Sequence, residues 1–155
     1  IPFFLVWKLK RKKTEETKGE RPMVEMNDYS KAKDGGKKLS ANFTVKEFAC
    51  KDGSDAVLTA PRLVMVLQSI RSHFAAPVVI HSAYRTPQYN AKVGGAAHSQ
   101  HCYGTAADIS VKGQTPAAVA AYSRELMPDW GGVGVYAGQG FTHIDVRETR
   151  ADWTG

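Results

Sequence analysis

The chain has 155 residues, 43% of them hydrophobic and 23% charged, which suits one globular domain with a real core. Its net charge of +6 is uneven: residues 1–42 carry 11 Lys and Arg against 6 Asp and Glu, and the rest carries 10 against 9. The body therefore lacks the basic stripe with interleaved aromatics of a nucleic-acid surface, and two cysteines, Cys50 and Cys102, exclude a disulfide-dense scaffold while leaving one bridge or two thiols open.

The chain opens on IPFFLVWKLKRKK, an apolar run with a basic cluster behind it. The run is shorter than the roughly 20 apolar residues that span a bilayer. Its charges follow the apolar stretch, whereas a signal peptide places them ahead of it. The order fits either the end of a membrane helix with its basic flank or a leader not native to the domain. Residues 8–38 are rich in Lys, Glu and Gly and poor in periodic apolar positions, so residues 1–38 read as a basic linker or disordered segment, and the domain as residues 39–155. Any membrane contact would run through that first segment.

Within the domain, TVKE at 44–47 is a capping-box pattern that predicts a short helix over 45–50, stopped by the turn signal KDGSD. Pro61 suits a first helical turn, and Leu63, Leu67, Ile70 and Phe74 share one face, so a helix is expected over 61–74. VVIHS (78–82) follows a proline and reads as a strand. Thr86 caps a short helix that closes at Gly94, and the loop 95–104 leads into a strand over 106–111. Thr115 and Pro116 start an Ala-rich helix over 115–127. GGVGVYA and FTHIDVR are two strands joined by GQG as a hairpin. This order predicts an α+β fold, a small and mostly antiparallel sheet with helices packed on it.

The chemistry gathers on two stretches. SQHCYGTAADI (99–109) holds His101 and, seven positions on, Asp108, with mostly small residues between; GFTHIDVR (140–147) holds His143 and Asp145. Strand residues two apart share a face, so His143 and Asp145 point the same way, and Asp108 shares its face with Ala106 and Ser110, which leave room above it. If the two strands are neighbours, His101, Asp108 and His143 converge. Two imidazoles and one carboxylate are a ligand set for catalytic zinc, which keeps an open position for water. The alternative is a loop-capping His101 and a buried, hydrogen-bonded Asp108.

The run SAYRTPQYNAKVGGAAHSQHCYGTAADI followed by GGVGVYAGQGFTHIDVR resembles the zinc D-alanyl-D-alanine carboxypeptidase family of peptidoglycan peptidases, whose relatives include vancomycin-resistance dipeptidases, phage endolysin peptidases and murein endopeptidases. The family motif Ser-x-His-x-x-Gly-x-Ala-x-Asp stands here as Ser99, His101, Gly104, Ala106 and Asp108; His143 matches the last ligand and Arg85 an upstream arginine. The resemblance spans about residues 39–147. It implies a zinc-peptidase fold shared with Hedgehog domains, and hydrolysis of an amide in the peptidoglycan stem peptide, as a carboxypeptidase or an endopeptidase. It also implies an extracytoplasmic or phage-lysis setting, and a monomer is expected. His101, Asp108 and His143 would hold Zn²⁺, Arg85 would anchor substrate, and Ser99 would contact substrate or stabilise the loop. Better-known members carry a catalytic carboxylate three residues before the last His, where this chain has Gly140. Asp145 is then the candidate general base, or else it orients a ligand imidazole. His98 has no place in the motif, and Cys102 reads as a buried neighbour. Trp130 and Trp153 read as packing residues, with the groove wall as the alternative. A zinc-stabilised domain that binds cell wall without cutting it is the competing reading.

Overall fold

Five strands form the central sheet of the computed structural model, which describes residues 24–155. The expectations for residues 1–23 lie outside the described residues. The sheet order is β5 (Val78–Ser82), β6 (Ala106–Val111), β8 (Phe141–Asp145), β7 (Gly132–Tyr136) and β9 (Ala151–Thr154). All neighbours run antiparallel except β7 and β9, which are parallel.

Alternation of side chains sorts this sheet into two faces. Ile80, Ala107, Ile109, Val111, Val133 and Ile144 point into the core. They meet α2 (Pro61–Phe74), through Leu63, Leu67 and Ile70, and α4 (Pro116–Leu126), through Val119 and Leu126; the short α3 (Pro87–Lys92) lies between these two in the chain. Both helices start as the sequence predicts, with Pro at the first turn, and the Thr115 hydroxyl accepts from the Ala118 N–H. The other face carries Asp108, His143 and Asp145 and is free of these helices. Core burial on one face thus leaves the polar set on the other, which is what positions the site.

Differences from the expected elements have physical causes. Residues 27–38 do not form a linker: β1 (Asn27–Ser30) pairs with β4 (Ala56–Thr59), α1 (Lys31–Asp34) follows, and β2 (Lys38–Ser40) pairs with β3 (Phe43–Thr44). These short strands gain stability from pairing with partners as distant as Asn27 and Thr59, which local composition cannot report. The helix expected over 45–50 is a 3₁₀ turn, Val45–Phe48, with the Glu47 carboxylate accepting from the Thr44 N–H at 2.6 Å. Trp130 packs in the core, 1% exposed, as the sequence reading expects, whereas Trp153 takes the alternative and lines a groove. No helix among the described residues is long and apolar enough to cross a membrane, and both cysteines are free thiols.

Candidate metal centre

The register of β6 against β8 places Asp108 directly opposite His143. His143 Nδ1 lies 2.9 Å from Asp108 Oδ1, while its Nε2 donates to Asp145 Oδ2 at 2.8 Å. The third member arrives from the loop. Ser99 caps the 3₁₀ helix Gln100–Tyr103, its hydroxyl accepting from the His101 N–H, and Gly104 closes it. Gly104 has φ of 73°, and a Cβ there would stand 2.6 Å from the Leu58 carbonyl oxygen, so only glycine lets the chain turn into β6 at this point. His101 Nδ1 donates to the Ala83 carbonyl at 2.7 Å, which leaves Nε2 facing Asp108 Oδ2 at 3.3 Å.

These surroundings set the protonation states. Burial alone would raise Asp108, but hydrogen bonds and charge from His101 and His143 outweigh it and hold the carboxyl well below the usual range. Burial alone would lower His143, but two flanking carboxylates overcome it and raise its pKa above the ordinary 6.5. Asp145 is likewise held low: burial opposes ionisation, and the Arg147 and His143 hydrogen bonds win.

A metal fits this set. The ligand atoms of His101, Asp108 and His143 lie within 4.8 Å of one another. Each imidazole has its second nitrogen tied, one to a carbonyl and the other to a carboxylate, which is how ligand histidines are commonly oriented. The remaining donors, His101 Nε2, a carboxylate oxygen of Asp108 and His143 Nδ1, face one another. Three ligands of this kind, with one side open to a groove, match the open form of a metal site rather than the closed, four-ligand structural form.

The groove has a volume of about 640 Å³ and takes in Arg85, His98, Ser99, Tyr136, Arg147 and Trp153 as well as the three ligands. A larger hollow of about 840 Å³, against α2, contains none of the cluster. Arg85 stands beside Asp108, its Nη2 3.5 Å from Oδ2, and is braced by Ser82 and by Asn90. Asp145 is 0% exposed and does not reach the groove. Its Oδ1 accepts from the Gly132 N–H at 3.0 Å and from Arg147 Nε at 2.8 Å, and its Oδ2 from Arg147 Nη2 at 2.7 Å and from His143. Arg147 was missed in the sequence because β8 ends at Asp145, so strand alternation does not place a side chain two residues further on. Tyr136 was missed as well: the hairpin puts it beside Phe141, but its tie to Trp153 depends on β9 pairing with β7.

A family model described as Peptidase M15 matches residues 39–145. The chain belongs to the peptidase M15 family. Its members are metal-dependent peptidases, and the His101, Asp108 and His143 cluster falls inside the matched region. No curated protein matches the chain. Trp153 and Arg147 of this M15 domain lie beyond the matched residues.

Proposed function

We propose that this M15 domain is a zinc peptidase that hydrolyses amide bonds in peptidoglycan stem peptides, as a D-Ala-D-Ala carboxypeptidase or a murein endopeptidase, outside the cytoplasm or in phage lysis. The observation that carries the reading is the three-ligand cluster opening on a groove with a guanidinium beside it. His101 Nε2, Asp108 and His143 Nδ1 would hold the ion. Zinc, when bound, lowers the pKa of water toward neutrality and polarises a carbonyl. The Ala83 carbonyl and Asp145 hold the two imidazoles in the orientation that presents those nitrogens. Arg85, kept in place by Ser82 and Asn90, offers positive charge to a substrate carboxylate or carbonyl. Ser99 acts on the loop, since its hydroxyl already caps the His101 turn.

Hydrolysis also needs a group to carry a proton from the attacking water to the leaving amine. Asp145 is poorly placed for this, because both oxygens accept hydrogen bonds and none of the side chain is exposed. Of the imidazoles and carboxylates among the groove residues described, His98 is the one outside the ligand set, and it is exposed. We assign the proton transfer to it.

The saturated Asp145 also supports a second reading, a wall-binding domain in which zinc is structural. One experiment separates the two. Purified peptidoglycan is digested with the zinc-loaded protein and with an His101→Ala control, and the fragments are weighed by mass spectrometry. New fragments that disappear in the control support the peptidase, and their masses identify the bond. Binding to the same sacculi without any fragment, across several wall chemotypes, supports the binding domain instead.

A further inference from the structure

Beside the ligand cluster stands a second group of side chains that metal binding does not use. Gly134 lies between His143 on one side and Trp153 on the other in the sheet register. A Cβ on residue 134 would sit 2.5 Å from the Trp153 indole nitrogen, so the bare backbone is what lets the indole lie flat toward the cluster. The ring reaches within 5.0 Å, centre to centre, of His143, and the Arg147 guanidinium packs over it at 5.3 Å. Trp153 Nε1 then donates to the Tyr136 hydroxyl at 2.8 Å. The Tyr136 ring is itself fixed, stacked on Phe141 at 4.5 Å and 13°.

The polarity of that hydrogen bond carries the argument. An indole N–H only donates, so the Tyr136 oxygen must accept. Its own O–H is left over, and no acceptor for it exists among the described residues. Tyr136 and Trp153 both line the groove. A phenol whose oxygen is pinned and whose hydrogen is free, on rigid strands next to the ligands, is a preorganised donor.

We infer that the Tyr136 hydroxyl donates a hydrogen bond to the carbonyl oxygen of the scissile amide, and that Trp153 positions it. The inference rests on the peptidase reading. As the water oxygen bonds to the carbonyl carbon, the C=O π pair moves onto oxygen, and Tyr136 stabilises the charge that develops there. When the C=O re-forms, the C–N bond breaks and the amine leaves with the proton that His98 carries to it from the attacking water; Tyr136 is unchanged throughout. The donor is stronger toward the charged oxygen than toward the neutral carbonyl, so it acts on the rate more than on substrate binding.

Tyr136→Phe keeps the stack on Phe141 and removes only the O–H. In the zinc-loaded protein kcat for stem-peptide cleavage falls about 100-fold, with KM within about twofold of wild type. Affinity for a phosphinate pseudopeptide, which carries tetrahedral oxygens, falls by about the same factor in calorimetry. Trp153→Phe keeps an aromatic ring but frees the phenol, and lowers kcat about tenfold with KM unchanged; it carries the test should Tyr136→Phe lose zinc or its melting transition. If the wild type cleaves and the variants cleave equally fast, the peptidase stands and this inference falls. Equal phosphinate affinity in wild type and Tyr136→Phe overturns it as well. A wild type that neither cleaves peptide nor binds phosphinate removes the peptidase reading, and this inference with it.

Discussion

Asp145→Asn keeps the shape of the side chain and removes the charge that faces His143 and Arg147. With the carboxylate gone, the His143 imidazole loses the partner that fixes its tautomer, and Arg147 loses its ion pair. Zinc affinity is expected to fall by about 10- to 100-fold, measured by competition with a chromogenic chelator. A variant that keeps full zinc affinity and loses only kcat would instead make Asp145 the proton carrier. His98→Ala gives the complementary pattern: zinc content and melting temperature hold, while kcat falls by about 100-fold. No change in kcat would remove His98 from the mechanism. The period-two rule was enough to put His143 and Asp145 on one face from the sequence. It could not show that Asp145 is enclosed, because the Gly132 N–H belongs to a different strand and Arg147 folds back from beyond the strand end.

At the scale of elements, what could be read depended on how far away the stabilising partner lies. Helices α2 and α4 carry their own signals, a proline at the first turn and an apolar stripe, and they begin where the sequence predicts. Strands β5 and β6 do the same with runs of branched and apolar residues. Strands β1 and β9 have no such run, and the run of β4 is only four residues long; they exist because a distant strand supplies hydrogen bonds. For β9 that partner is β7 in parallel, so its tryptophan reaches the groove only through the sheet register. The β1–β4 pair also contains an uncompensated cost. Thr59 on β4 is 1% exposed, and its hydroxyl has no hydrogen-bond partner among the described residues. Thr59→Val replaces that hydroxyl with a methyl and should stabilise the protein by about 1 kcal/mol. The expected result is a higher urea midpoint at unchanged slope. A lower midpoint would mean that the hydroxyl is satisfied in solution, and the hollow beside it filled with ordered water.

For the whole molecule, the ligand cluster makes stability, metal and pH interdependent. In the metal-free chain Asp108 and Asp145 are held below the ordinary 3.8. Their contribution is therefore present above that value and lost as pH falls through the lowered pKa. His143 is raised above 6.5, so its contribution is fully present below 6.5 and lost as pH rises through the raised pKa. The metal-free protein thus weakens on the alkaline side, where His143 gives up the proton it shares with two carboxylates. Metal binding has the opposite slope, because zinc must displace that same proton and competes poorly while it is held. Both effects widen the gap between the two forms as pH rises. The difference in melting temperature between zinc-loaded and chelator-stripped protein should be small near about pH 5.5 and grow steadily toward about pH 8, by several degrees for each 1–2 kcal/mol gained. Scanning calorimetry of both forms across that range reads it directly. A gap that stays constant would mean that the metal does not enter through His143, and the ligand set would have to be redrawn around His101 and Asp108. Asp145→Asn offers an internal check, since loss of one flanking carboxylate lowers the pKa of His143 and should move the whole rise to lower pH.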